Sequence, residues 1–576
     1  MKKLTILLAL FTCVFPVNNL LAQCASPSAQ ADLDIANVRA KILNGGDMWW
    51  NAMTGTGPNY EVPKNSGEHA LYTGALWIGG MDASNNLRLA AQTYRQGGDD
   101  FWPGPLDSTN ASIDSLTSLQ FNYMWKINRQ DVLNFIGGGP ATSDMLTYPG
   151  NGTGNAAHYL APFHDANADG LYNPADGDYP DFGFSGSANC CNTLHGDQAI
   201  WWVINDACGL HTSSGGLAMG IELQCQAYAF NTNNADINNT TFYQYTLINR
   251  SSVQFNQAYF GWWTDADLGL FSDDYIGCDV PRGMGYCYNS TASPSGFYQY
   301  PPAIGIDILE GPVVGFSDGI DNNRNGTVDE TDEDYVMSKF IYYNNDFSVT
   351  GNPVAASDYY NYLRGFWKDN TQMTYGGNGH QSSITVCDFM FPDASDHQYE
   401  WGTGGNNMTP AAAQPDWNEV IAGNIPGDRR FLMSVPFPTL QPGAVHCITM
   451  AAIWARDTVS PNAPYSFAEL QAADDLVQAF FESCYDLNIL GIDQQENLQA
   501  NIFPNPVSDM VEAVFDRSIT NGKFIVYDIA GRNVKQVAIK NQQKLSVHCK
   551  DLSPGVYVYR ILLPDGKGSS GKFVKQ

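Results

Sequence analysis

The sequence predicts a mainly β protein: a multi-domain β-sandwich body with few helices, followed by a small Ig-like β-sandwich. Three observations carry that prediction. Short apolar and aromatic runs of strand length recur between joins rich in Gly, Asn and Pro. Charged residues make up only 15% of the chain while Gly, Tyr and Trp number 55, 30 and 13, a balance suited to turns and pleated surfaces rather than solvated helices. The 576 residues also exceed what one core usually organises, at about 150 residues per domain.

From the N-terminus, Lys2 and Lys3 precede an apolar run from Leu4 to Val17, and Leu20-Leu21-Ala22 ends in a small residue. This predicts a secretory signal over residues 1–22, too short and too poorly flanked for a membrane anchor. No later stretch is apolar enough to be a transmembrane segment. Export makes disulfides available to Cys24, Cys190, Cys191, Cys208, Cys225, Cys278, Cys287, Cys387, Cys447 and Cys484, an even set. Cys208 with Cys225, and Cys278 with Cys287, lie near enough for small loops, while the CxxC pairs of a zinc site are missing.

Within the body, residues 23–490, strands are expected at Leu71–Ile78, Leu87–Tyr94, Ala199–Ile204, Leu217–Phe230, Thr240–Ile248, Gln257–Trp263, Phe340–Tyr343, Phe431–Val435 and His446–Trp454. Helical spacing of apolar residues is found at Phe467–Tyr485 and, more weakly, at Ala355–Trp367. Two or three subdomains would accommodate these elements. Tandem aromatics at Trp49-Trp50, Trp201-Trp202, Trp262-Trp263 and Tyr359-Tyr360 could offer flat faces to sugar rings. On a strand, however, neighbouring residues face opposite ways, so at most one of each pair points into the core.

Two loops have the ligand spacing of a calcium site. The first runs from Asp165 to Asp176, with oxygen side chains at Asp165, Asn167, Asp169, Asn173 and Asp176, the carbonyl of Leu171, and Gly170 at the sharp turn. The second runs from Asp321 to Asp332, with Asp321, Asn323, Asn325, Asp329, Asp332 and the carbonyl of Thr327. Calcium needs six to eight hard oxygen ligands, and this spacing wraps them round one centre. Pro162, Pro174 and Pro180 preclude flanking helices at the first loop. Both loops resemble those of thrombospondin type 3 repeats and dockerins rather than EF-hands. A third acidic group, Asp265, Asp267, Asp273, Asp274 and Asp279, follows an expected strand and could be a third metal cluster or a solvated loop.

Charge marks a boundary near a 491–500 linker. Residues 23–500 hold 16 basic and 53 acidic residues, net −37, whereas 501–576 hold 11 and 6, net +5. The acidic body excludes nucleic acid as a partner, since nothing would neutralise the phosphates. The last segment reads as strands Val511–Phe515, Lys523–Tyr527, Val534–Ile539, Lys544–Val547 and Val556–Leu563. Three blocks stand out in it. They are Asn501 to Val507 with Pro504, Asn505 and Pro506; Val526 to Val534 with Gly531 and Arg532; and Leu552 to Ile561 with Gly555 and Tyr557.

In content and order these blocks resemble the type A C-terminal sorting domain of the type IX secretion system. The resemblance implies passage through the periplasm and outer membrane to the cell surface or medium. It further implies handling by the type IX machinery, removal of the tail by its sortase-like peptidase, and attachment to surface lipopolysaccharide. Blocks of the body, among them Gly74 to Gly80, Phe101 to Asp107 and Gly427 to Ser434, resemble large extracellular proteins of bacteria with this export route. That likeness implies an architecture and no activity.

No catalytic motif is assembled. There is no HExxH, no GxSxG elbow, no P-loop and no dinucleotide fingerprint, and His158 and His164 flank Pro162 rather than share a helix face. The expectation is therefore an exported, calcium-stabilised protein with a structural or adhesive role, and glycans as candidate ligands. The alternative is a secreted polysaccharide hydrolase whose carboxylate pair lies among the body's many acids.

Overall fold

The computed structural model describes residues 24–55, 57–184, 192–294, 297–314, 319–331, 333–457, 466–486, 500–527, 532–563 and 568–576. The expected signal, Cys190, Cys191, Asp332, Gly531 and all but the last residue of the expected linker lie outside them. The chain is mainly β and divides into two compact units, residues 1–486 and 487–576.

The body is built on two large antiparallel sheets around one shared core. In the ten-stranded sheet, Phe255–Ala266 lies between Arg429–Leu440 and Thr73–Met81, with Lys339–Asn344 beyond Arg429–Leu440. In the nine-stranded sheet, Val445–Ala455 lies between Ala303–Glu310 and Thr240–Asn249. Ile221–Ala229 and Gln198–Asn205 follow on one side, and the hairpin Asp274–Asp279 with Met284–Asn289 on the other. Most of these strands are buried along both faces, so their sequences run nearly continuously apolar instead of alternating. The hairpin and Ala303–Glu310 escaped the sequence reading because Asp, Gly and Tyr interrupt their apolar residues.

Tandem tryptophans serve two cores at once. Trp262 faces the opposing sheet, its ring 5.4 Å from that of Tyr243, while the indole N–H of Trp49 donates to the Tyr243 hydroxyl at 2.8 Å. Trp263 faces the other way, stacked on Trp77 and donating to the Tyr343 hydroxyl at 2.6 Å beneath helix Ala356–Leu363. A side chain at Gly261 would place its Cβ 2.4 Å from Leu363, so only glycine lets this helix settle on the sheet. Trp201 is likewise covered on the outer face by Trp125 and Tyr148. All eight tandem aromatics are at most 6% exposed, which removes them as an exposed sugar-binding platform.

Helix Phe467–Glu482 covers the outer face of the second sheet with Leu470, Ala473, Asp474, Val477 and Phe480, one helical stripe. Asp474 is an acid in that stripe, and its partner across the interface is Asp307 of Ala303–Glu310. Burial raises the pKa of both above the ordinary 3.8; the mutual repulsion and Asp279 raise Asp474 further, and Arg282 opposes this. A raised carboxyl pKa means the folded state binds protons more tightly than the unfolded one. The stability this gives is full below pH 3.8 and is lost as pH rises toward the raised values. The urea midpoint is therefore expected to fall between pH 5 and pH 8, and to fall less in Asp474→Asn. Equal slopes in the two proteins would refute the assignment.

Cys24 is bonded to Cys208, with which no local spacing associates it, and Cys447 and Cys484 are also in disulfides. Cys225, Cys278, Cys287, Cys387 and Cys549 are buried free thiols. This corrects the two small loops expected from spacing. Cys278 and Cys287 lie in one hairpin but out of register, Cys278 opposite Gly285 and Cys287 opposite Ile276.

The C-terminal unit is a five-stranded antiparallel sheet round its own core of Val511, Phe515, Phe524, Ile561, Phe573 and their neighbours. Four expected strands merge into two long ones, Met510–Tyr527 and Asn533–His548, because the ladder shifts register between Val514 and Ile519 without ending. Ala500–Phe503 and Gly568–Lys575 complete the sheet.

Candidate metal centres and the sorting domain

The two calcium-type loops share one hydrogen-bond frame. In the first, Asp165 accepts the amides of Asp169 at 3.2 Å and Gly170 at 2.7 Å, Asn167 accepts that of Asp169 at 3.0 Å, and Asp169 that of Leu171 at 2.8 Å. In the second, Asp321 accepts the amides of Asn325 at 3.1 Å and Gly326 at 2.8 Å, Asn323 that of Asn325 at 3.2 Å, and Asn325 that of Thr327 at 2.9 Å. Gly170 and Gly326, at φ +81° and +96°, make the turn that a Cβ would strain. The first loop is anchored by the paired strands Phe163–His164 and Tyr179–Pro180.

The far ends differ. Asn173 donates to Asp176 at 2.6 Å, whereas Asp329 accepts the amide of Gly319. Each loop is also closed by an acid that sequence spacing missed. Asp178 accepts the amide of Ala166, and Glu333 that of Asn322, in both cases the second residue of the loop. Glu330 gathers the side-chain amides of Asn323 and Asn325 at 3.0 and 2.6 Å. His158 and His164 pack on Tyr159 and Tyr179 respectively.

The third acidic group splits three ways. Asp273 and Asp274 share the Asn289 side-chain amide at 2.9 and 3.2 Å. Asp279, at the far end of its strand, pairs with Arg282 at 2.9 Å and accepts from Gln471 at 2.7 Å. Asp265 and Asp267 instead meet Asp428, a residue that no local spacing associates with them. Strand pairing sets Asp265 opposite Arg430, bringing Asp428 to the same sheet edge. One carboxylate oxygen from each of the three lies within 4.8 Å of the others.

Arg430 pairs with Asp265 at 3.2 Å and with Asp428 at 2.5 Å, and the Tyr94 hydroxyl donates to Asp265. The cluster lines a cavity of 310 Å³ together with Tyr72, Gln96, Phe271 and Asn345. Burial raises Asp265 to about 6 against the pull of Arg430. Burial, then the charges of Asp265 and Asp428, push Asp267 up to about 8. A second cavity, of 440 Å³, lies beside the first loop. Asp165, Tyr159, Phe163, Trp201 and the amides of Gln224 and Gln226 line it.

In the C-terminal unit, the first and third sequence blocks tie strands of the sheet together. Asn505, between Pro504 and Pro506, accepts the amide of Val574 at 2.9 Å, and Val507 donates to the Val574 carbonyl at 2.7 Å. Gly555 opens the strand Gly555–Leu562, in which Tyr557 stacks on Phe573 and donates to the Ser553 carbonyl at 2.8 Å. Arg532 stands just before Asn533–His548.

Residues 501–576 match the family model described as a secretion system C-terminal sorting domain. This segment is therefore a type IX sorting domain, and the protein is exported to the cell surface or extracellular space with the type IX machinery as its partner. No curated protein matches the chain at a significant level. Among solved structures, a polysaccharide lyase aligns over 62% of this chain at 7% identity with a TM-score of 0.18. The alignment spans 34% of the lyase's own length. The BSP domain of a biofilm-associated protein aligns over 95% of this chain and 80% of that domain, at 9% identity and a TM-score of 0.14. Among the described residues, no helix is long and apolar enough to cross a membrane.

Proposed function

We propose that the body is a calcium-stabilised structural or adhesive module, delivered by its sorting domain to the cell surface and able to hold glycans there. Anchoring would follow removal of the tail by the sortase-like peptidase and transfer to surface lipopolysaccharide. The observation that carries this reading is the frame shared by the two loops. Sequences that differ at most positions turn the same backbone amides onto Asp165 and onto Asp321. A cation at either centre would staple a long loop that otherwise rests on a few hydrogen bonds. For glycans, the cavity beside the first loop offers the rings of Tyr159 and Phe163 next to side-chain amides, a pairing suited to sugar faces and hydroxyls.

The exported protein should melt several degrees higher in millimolar calcium chloride than in chelator, since ligand at 100 times its dissociation constant adds about 2.7 kcal/mol per site. Asp165→Ala and Asp321→Ala should each lose part of that gain. Incubation with a panel of polysaccharides should give retention without new reducing ends. Release of reducing ends would replace the adhesive reading with hydrolysis, and a calcium-independent melting temperature would remove the staple.

A further inference from the structure

We infer that Asp265, Asp267 and Asp428 form a further divalent-cation site, built between the sheet edge and an open cavity rather than within a ligand loop. Four observations converge on it. The ligand oxygens lie within 4.8 Å of one another, and calcium with bonds of about 2.3–2.6 Å spans about 4.6–5.2 Å between opposite ligands.

Charge points the same way. Three carboxylates face a single guanidinium, so the cluster is left at net −2 when all three are ionised, the charge a divalent cation cancels. Arg430 also fixes the ligands. It holds Asp265 by Oδ2 and Asp428 by Oδ1, and Asn345 steadies Asp428 Oδ2 at 3.0 Å. Asp265 is only 2% exposed, yet its Oδ1 has no hydrogen-bond partner among the described residues. A buried carboxylate oxygen left without a donor destabilises the fold, and a bound cation would remove that cost.

Asp267 and Asp428 are half-buried and face the cavity, giving a cation a path of entry from solvent. Gln96, whose amide nitrogen donates to the Gly55 carbonyl at 2.7 Å, lines the same wall. Water can complete the coordination from the cavity side.

The test is calcium stoichiometry of the full exported chain, by equilibrium dialysis against calcium chloride and metal analysis of the protein. Asp267→Asn and Asp428→Asn are each expected to bind one calcium ion fewer per chain than the parent. Asp267 suits the test because its side chain has no hydrogen-bond partner among the described residues, so the amide keeps its shape without breaking a contact. Asp428→Asn checks the site from the opposite strand should the first variant fold poorly. In chelator, Asp267→Asn should melt at or above the parent, because one like charge has gone; in calcium the order should reverse. Equal stoichiometry in parent and variants, or a parent that binds no calcium, would overturn the assignment whatever the two loops do.

Discussion

Removing the Cys24–Cys208 disulfide is expected to lower stability by about 4–5 kcal/mol, near the upper end for a single bridge. The bond joins residues 184 positions apart, and the chain entropy it withholds from the unfolded state grows with the logarithm of that separation. Side-chain contacts also hold this segment, among them Ser26 to Asp99 at 2.5 Å and Arg95 to the Pro27 carbonyl. The first strand, Gln30–Leu33, pairs among the described residues only with Arg39–Leu43, at an edge of the ten-stranded sheet. Ahead of it, Ser28 and Ala29 are held through the Asn122 side chain at 3.1 Å. Cys208, by contrast, follows the fully buried strand Gln198–Asn205. The measurement is the denaturant midpoint of the Cys24→Ser/Cys208→Ser double variant against the oxidised parent. Reduction of the parent should lower the midpoint at least as far, since it also opens the disulfides of Cys447 and Cys484. An unchanged midpoint would show that the N-terminal segment is held by packing alone.

That bridge also marks where the sequence stops being legible. Cysteine spacing favours near neighbours, yet Cys24 finds a partner carried to it by the fold. Local signals fared better. Apolar runs such as Thr240–Ile248 and His446–Trp454 lie in central strands, and the run from Leu470 to Phe480 lies on the helix that spacing predicted. The turn at the start of each loop was readable because its side-chain acceptors fall within six residues, whereas Asp178 and Glu333, which close the loops, lie beyond the twelve that spacing considers. The acidic cavity was readable only by half: Asp265 and Asp267 stand together in sequence, but Asp428 arrives through strand register. The tandem tryptophans misled for a related reason. Their alternation was visible, but not the helix and loops that cover the second face.

Register has a second consequence, and it sets the largest effect expected of one substitution. Arg429 and Arg430 are adjacent on a strand, so their side chains leave opposite faces of the sheet. Arg430 serves the acidic cavity. Arg429 meets Glu419, which is fully buried and accepts from Arg429 Nη2 at 2.9 Å and Nε at 3.1 Å. Glu419 also accepts the amide of Ile276 at 2.9 Å, and Arg429 donates to Asn344 at 2.8 Å. The pair thereby ties an edge strand of each sheet to the segment that precedes Arg429. Glu419→Ala should cost about 3–5 kcal/mol, because it leaves a buried guanidinium without its counter-charge and the Ile276 amide without its acceptor. Glu419→Ala/Arg429→Met should recover much of the loss, since removing both charges also removes the desolvation penalty. Urea midpoints of the parent, both single variants and the double variant separate these terms. A double variant no more stable than Glu419→Ala would mean that the amide of Ile276, rather than the stranded charge, carries the cost. Because Arg430 faces the other way, the folded fraction of Glu419→Ala should bind calcium with the stoichiometry of the parent, which separates damage to the framework from damage to the cation site.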